Sequence, residues 1–137
     1  LGWVCIKGQV DITPIILYFG AIFWTLGFDT IYGFQDIKDD EIIGIKSTSI
    51  KFKKNPNLFL ILCYLIFIIA LITVGIFMNF NIIFYLFMTI CIFHLFFYQI
   101  YNFKFKDSKN CLKIFKSNNL LGLLILINLL IGKNFII

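Results

Sequence analysis

The sequence predicts an all-α protein, a polytopic membrane helix bundle with about four transmembrane helices. Of its 137 residues, 61% are hydrophobic and only 14% are charged, whereas a soluble domain carries about 25% charged residues. A chain of this size cannot bury so much apolar surface in a water-soluble core. The apolar residues also form long uncharged runs, which are typical of segments that cross a bilayer.

A transmembrane helix requires about 20 apolar residues, and three of the four runs reach or approach this length. The four runs are residues 12–28, 58–77, 82–101 and 120–132. The last run is short, and we expect residues 135–137 to extend it past Lys133. Residues 1–6 are also apolar, and we interpret them as the end of a fifth span.

The lysines indicate how the chain is oriented in the membrane. Ten of the twelve lysines lie in two connections, residues 38–57 and 102–118. Two spans separate these connections, so both are predicted on one side, with Lys7 and Lys133 on the other. The positive-inside rule assigns the lysine-rich side to the cytoplasm or to the mitochondrial matrix. We therefore expect a multi-pass protein of a bacterial or mitochondrial inner membrane.

Most of the negative charge lies directly after the first run. Five of the seven acidic residues fall between positions 29 and 41, and they are Asp29, Asp36, Asp39, Asp40 and Glu41. If the first helix continues past residue 28, Asp29, Asp36 and Asp40 share an arc of about 40°, with Tyr32 nearby. Carboxylates gathered beside hydrocarbon are unfavourable, and a divalent cation would offset their repulsion.

Two interpretations of this acidic cluster remain open at the level of residue pattern. The first is a Mg²⁺ site, since Mg²⁺ is commonly held by one or two carboxylates together with phosphate oxygens and water. The second is a solvated acidic loop that ends a helix, although acids at a helix C-terminus lie at the unfavourable end of the macrodipole.

Lysine recognises phosphate as a point charge, and Lys46 follows the acidic cluster closely. Together they predict a site for a Mg²⁺-bound diphosphate whose tail lies in the lipid. We assign Lys51, Lys53 and Lys54 to membrane topology. For His94 we favour a neutral side chain bonded to a neighbouring helix over a functional one, and for Gln99 we leave open a helix–helix or a substrate hydrogen bond.

The segment "DTIYGFQDIKDDEIIGIKST", residues 29–48, resembles the second aspartate-rich motif of the membrane-embedded aromatic prenyltransferases. It is most similar to the branch that prenylates 4-hydroxybenzoate for ubiquinone synthesis. "LGWVCIKGQ" resembles the stretch before the preceding span of that branch, and residues 93–130 resemble its C-terminal region. The matching positions in this region are Gln99, Cys111, Phe115, Lys116, Asn118 and Gly122, and the resemblance covers essentially the whole chain.

The resemblance implies a larger fold of about nine transmembrane helices around a central cavity. It also implies Mg²⁺-dependent transfer of a polyprenyl chain from polyprenyl diphosphate to the ring of 4-hydroxybenzoate. By this resemblance Asp36 and Asp40 bind the metal and are catalytic. Tyr32 is implied to be catalytic as well, and Asp29 and Lys46 bind substrate.

The first aspartate-rich motif of that family and its early spans are absent from these residues. Residues 1–137 are thus expected to be the C-terminal portion of one transmembrane domain, requiring an N-terminal half from a longer gene product or from a separate polypeptide. The expected surroundings are the lipid bilayer, and no nucleic-acid partner is expected. The alternatives are a related prenyltransferase with another aromatic acceptor, a cation channel or carrier with an acidic mouth, and an inactive membrane fragment.

Overall fold

The computed structural model describes residues 2–134, with only the backbone at residue 134. This part of the chain is helical and contains no strand. Its helices are α1 (Gly2–Lys7), α2 (Ile12–Gly33), α3 (Ile37–Ile43), α4 (Thr48–Lys51), α5 (Pro56–Phe77), α6 (Ile82–Phe93), α7 (Ser108–Lys116) and α8 (Asn118–Asn134). A π-helical segment, His94–Ile100, continues α6 without a break.

Four helical stretches are long and apolar enough to cross a membrane, and the prediction of an all-α bundle with four spans is confirmed. The stretches are Ile12–Gly33, Pro56–Phe77, Ile82–Ile100 and Ser108–Lys133. The last one begins earlier than predicted because α7 leads almost directly into α8. Helix α1 has six residues and is not among the four. The predicted extension through residues 135–137 lies outside the described residues.

Helices α2 and α5 form the most extensive helix pair, and glycines on α2 permit their close approach. A Cβ atom added at Gly20 would lie 2.5 Å from the Cβ atom of Ala70. One added at Gly27 would lie 2.6 Å from Cε1 of Tyr64. Small residues of this kind are typical of helix contacts in membranes, where packing and hydrogen bonding drive association.

Helices α6 and α8 form a second pair, which is tied together at the tight turn of residues 78–81. Asn79 adopts the left-handed conformation there, with φ of 51°. Asn81 accepts a hydrogen bond from the Phe84 N–H at 3.2 Å and caps α6. Its side-chain amide also donates to the Ile131 carbonyl at 3.2 Å, which joins the start of α6 to the end of α8.

The two lysine-rich connections meet at the same end of the bundle, as predicted. Lys38 and Lys53 of the first connection line one cavity with Lys106 of the second. At the other end, Lys7 and Lys133 line a common cavity of about 330 Å³. The structure therefore confirms the relative placement of the charges, and the cytoplasmic or matrix assignment stays a prediction.

The two connections contain three short helices that the sequence did not predict. Helices α3 and α4 lie between the first two spans, and α7 precedes the last. Helix α7 is amphipathic, with Cys111 and Ile114 buried and Lys109, Lys113 and Lys116 exposed. The connections are thus folded elements that surround the acidic cluster.

Candidate functional site

The first span does not run unbroken through the acidic cluster. Helix α2 ends at Gly33, and α3 begins at Ile37 with Asp36 as its N-cap residue. The predicted continuous helix is therefore right for Asp29 and Tyr32 and wrong for Asp36 and Asp40. The turn between the helices is held by Phe34, which is only 2% exposed and packs against the rings of Phe103 and Phe105.

Asp36 and Asp40 lie one turn apart at the start of α3. The Asp36 carbonyl accepts from the N–H groups of Asp39 and Asp40, both at 3.0 Å. These acids thus lie at a helix N-terminus, where the macrodipole favours negative charge. The helix breaks before Asp36, so of the acidic cluster only Asp29, near the end of α2, lies towards a helix C-terminus, contrary to the expectation for the whole cluster.

Asp36 and Asp39 line a cavity of about 470 Å³ at the lysine-rich end of the bundle. Three lysines line the same cavity, and they are Lys38, Lys53 and Lys106. Lys53 and Lys106 come from the two separate connections, and sequence reasoning did not assign either to a site. The cavity therefore combines carboxylates with ammonium groups, and Phe34 and Phe105 contribute apolar surface.

Lys53 is held at this cavity by an ion pair with Glu41 at 2.7 Å. Both side chains are substantially exposed, at 48% and 39%, so the pair contributes little stability. Lys46, by contrast, is exposed and lines a different cavity with Ser47, Thr48 and Lys51, among others. The structure does not bring Lys46 into the cavity that Asp36 lines.

Asp29 and Tyr32 are exposed near the end of α2, and Tyr32 belongs to a row of aromatic rings. The Tyr32 ring, 43% exposed, lies 4.8 Å from that of Phe115. Phe28 lies 5.9 Å from Phe115 and 5.6 Å from Trp24. The row extends from the acidic end into the apolar part of the bundle, and Tyr32 is the only member to which the resemblance assigns a catalytic role.

The candidate donors for a metal ion are the carboxylates at the start of α3. Among residues 2–134, no three His, Cys, Asp or Glu side chains come together as a metal site. Asp36 and Asp40 would supply two carboxylates, too few for a closed protein cage, and only Asp36 of the two lines the cavity with the lysines. Mg²⁺ is commonly bound by one or two carboxylates plus substrate phosphates and water, and the lysines beside Asp36 suit those phosphates.

Below this end of the bundle, Gln99 is fully buried and bonded to two other helices. Its Oε1 accepts from the Tyr64 hydroxyl at 2.6 Å, and its Nε2 donates to Asn118 Oδ1 at 3.0 Å. Gln99 is therefore a helix–helix hydrogen-bonding residue, one of the two roles expected for it. The His94 ring lies 3.5 Å from the Gln99 amide and packs on Tyr98, contacts within its own segment.

Comparison with known families agrees with the fold. The model of the UbiA prenyltransferase family matches residues 1–125. The chain therefore belongs to that family, as the aspartate-rich segment indicated.

Individual relatives agree with this assignment. The chain is 35% identical to the 4-hydroxybenzoate polyprenyltransferases, mitochondrial, of Bos taurus and Homo sapiens over 134 residues, 97% of this chain and 36% of each relative. It is 34% identical over 128 residues to the 4-hydroxybenzoate octaprenyltransferase of Francisella tularensis subsp. novicida (strain U112), 93% of this chain and 44% of the relative. The chain thus spans about two fifths of the length of these relatives. No solved structure gives a significant match.

Proposed function

We propose that this chain forms part of an enzyme that transfers a polyprenyl chain from polyprenyl diphosphate to the ring of 4-hydroxybenzoate in ubiquinone biosynthesis. The observation that carries the proposal is the cavity in which Asp36 lies with Lys38, Lys53 and Lys106, in a chain of the UbiA family. The names of its relatives support the choice of 4-hydroxybenzoate as acceptor.

In this proposal the carboxylates of Asp36 and Asp40 would hold Mg²⁺, and the bound ion would neutralise the charge that develops on the leaving diphosphate. Lys53 and Lys106 hold the phosphate oxygens by charge-assisted hydrogen bonds. Asp29 and Lys46 bind substrate, as the resemblance implies. Lys46 would have to approach from its neighbouring cavity, because it does not line the one that contains Asp36.

Tyr32 is proposed to stabilise the reacting prenyl group. As the allylic C–O bond breaks, the electron pair leaves with the diphosphate and positive character develops on the prenyl carbon. An aromatic face stabilises such a cation by about 0.5–2 kcal/mol. The ring carbon ortho to the acceptor hydroxyl then forms the new C–C bond, and the proton on that carbon is released to a base or to water.

We further propose that residues 1–137 are the C-terminal portion of a single transmembrane domain. An N-terminal half, joined or separate, would supply the facing aspartate-rich motif. Asp29 supports this arrangement because it is exposed on a span helix, and a charged residue there is expensive when it faces lipid. We therefore expect Asp29 to face another part of the protein or a water-filled space. We place the aspartate-rich motif on the cytoplasmic or matrix side of the membrane.

The proposal is tested by expressing the chain with its upstream coding sequence in membranes. Prenylated 4-hydroxybenzoate is then measured with Mg²⁺ and with a chelator. We expect Asp36→Asn and Asp40→Asn each to lower turnover by about 100-fold or more, the effect of losing a group that stabilises developing charge. The same assay with other aromatic acceptors tests the choice of 4-hydroxybenzoate.

The matched control is Asp11→Asn, the same chemical change at the opposite end of α2. Asp11 caps α2 by accepting from the Thr13 N–H at 3.4 Å, and asparagine caps helices equally well. This variant should retain activity and membrane insertion. Near-normal turnover of both Asp36→Asn and Asp40→Asn would reject the metal assignment. A parent protein without activity would favour the alternative that the chain is an inactive membrane fragment.

A further inference from the structure

Three hydrogen bonds join four parts of the bundle through one buried cluster. The Tyr64 hydroxyl donates to Gln99 Oε1 at 2.6 Å, and Gln99 Nε2 donates to Asn118 Oδ1 at 3.0 Å. Trp24 Nε1 donates to the same Asn118 oxygen at 3.0 Å. The cluster of Trp24, Tyr64, Gln99 and Asn118 thereby connects α2, α5, the π-helical segment and α8.

The remaining polar atoms of the cluster also have partners. Asn118 Nδ2 donates to the Phe115 carbonyl at 3.1 Å, at the end of α7. Gln99 Nε2 also lies 3.4 Å from Ser117 Oγ. Tyr64 and Gln99 are 0% exposed and Asn118 is 7% exposed. Because hydrocarbon offers no replacement partners, loss of one member deprives its direct partners of that hydrogen bond.

The π-helical segment accounts for the unusual position of Gln99. A π-helix closes its hydrogen bonds between residues five apart, and such segments are frequent at functional sites. The wider turn brings His94 and Gln99 to the same side, where their polar atoms lie 3.5 Å apart. Gln99 can therefore reach Tyr64 and Asn118, which lie on two different helices, at the same time.

The cluster lies on the same side of α2 as the aromatic row. Trp24, Phe28 and Tyr32 follow one another at four-residue spacing, which places them on one helix face. Trp24 bonds Asn118 at one point, and Tyr32 packs on Phe115 at the other. Trp24 and Tyr32 are about 12 Å apart along the axis of α2, at 1.5 Å per residue. Asp29 lies between them in height along that axis.

We propose that Gln99 is a positioning residue, which holds α2 and the aspartate motif at its end in register with α8. It acts through Asn118, whose oxygen it shares with Trp24. That Gln99 positions the aspartate motif for catalysis rests on the proposed function. That Gln99 positions α2 does not rest on it. In the described part of the chain no hydrogen bond joins Gln99 directly to Trp24 or to a motif residue, so the cluster is the polar connection between them.

Trp24 itself provides the first test, since Trp3 is the only other tryptophan. In a Trp3→Phe background the emission of Trp24 reports its hydrogen bond. Gln99→Met removes the amide at similar volume, and we expect the emission maximum of Trp24 to shift because Asn118 Oδ1 loses one of its two donors. If Gln99→Met does not fold, Gln99→Asn replaces it in the test. Asparagine is too short to reach both partners, so this variant should shift the emission maximum in the same direction.

The matched control is Asn102→Leu. Asn102 is exposed, and its side chain donates to the Tyr98 carbonyl of the preceding turn at 2.8 Å. This variant should leave the Trp24 emission unchanged. Unchanged emission in a folded Gln99→Met protein would overturn the proposal, because Gln99 would then act only on its immediate neighbours.

The second test uses the full enzyme and separates this proposal from the function on which it partly rests. If the parent transfers prenyl groups, Gln99→Met should lower kcat/KM by about 2- to 30-fold, the range that distant coupled residues show. A parent without activity rejects the proposed function and leaves the emission test to decide the role of Gln99. An active parent whose Gln99→Met variant keeps full kcat/KM shows that Gln99 does not position the motif.

Discussion

Gly27→Ala tests whether the close contact between α2 and α5 is as rigid as the structure indicates. The added Cβ would lie 2.6 Å from Cε1 of Tyr64, about 0.8 Å short of the 3.4 Å at which ordinary contact begins. The Tyr64 ring is fully buried and its hydroxyl is bonded to Gln99 at 2.6 Å. The ring therefore cannot move aside without stretching that hydrogen bond.

The expected cost follows from these distances. Overpacking a well-packed site costs about 1–3 kcal/mol, and weakening the Tyr64–Gln99 bond adds about 1 kcal/mol. Alanine favours a helix over glycine by about 1 kcal/mol, which opposes these losses. We therefore expect Gly27→Ala to lower the free energy of unfolding by about 1–3 kcal/mol.

The measurement is unfolding in mixed detergent micelles by increasing SDS, followed by the circular dichroism of the helices. Gly2→Ala is the control, since no atom of the described residues lies within 4 Å of its added Cβ. In a Tyr64→Leu background the cost of Gly27→Ala should shrink, because the ring that it strikes is gone. An unchanged unfolding midpoint for Gly27→Ala alone would refute the reasoning.

Two further substitutions probe the connections. Thr30→Val removes the hydroxyl that lies 2.7 Å from Thr48 Oγ1 and joins α2 to α4. It should cost about 0.6–1.7 kcal/mol in the same unfolding assay, with Thr73→Val as control because the Thr73 hydroxyl donates to the Ile69 carbonyl of its own helix. Lys53→Met should change stability by less than about 1 kcal/mol and raise the KM for polyprenyl diphosphate. Lys54→Met is the control and should leave this KM unchanged. If Lys53→Met also leaves it unchanged, Lys53 does not belong to the proposed site.

The spans were predictable because each is long and uncharged, a signal that does not depend on tertiary contacts. The prediction of residues 58–77 differs from the observed α5, Pro56–Phe77, by two residues at one end. Helices α3, α4 and α7 were missed because short charged segments show no span signal. The break before Asp36 depends on Phe34 packing against Phe103 and Phe105, residues about 70 positions away.

The candidate site was predictable only in part. The acidic cluster was visible as a charge pattern, and its family resemblance was visible in residues 29–48. The contributions of Lys53 and Lys106 were hidden, since the sequence accounts for lysines there by membrane orientation alone. The bond between Trp24 and Asn118 joins residues 94 positions apart, and π-helical geometry has no periodic signature by which Gln99 could have been assigned.

The pairing of spans has a consequence for how the protein is made. The first two spans pair through α2 and α5, and the last two through α6 and α8, whereas α5 and α6 contact each other little despite the tight turn between them. Such antiparallel pairs are natural units for insertion into a bilayer. Asn118, which accepts from both Trp24 and Gln99, arrives with the final span. The Tyr64–Gln99 bond can join the two units before the last span is made, whereas Trp24 gains its native acceptor only once Asn118, the first residue of α8, has been synthesised.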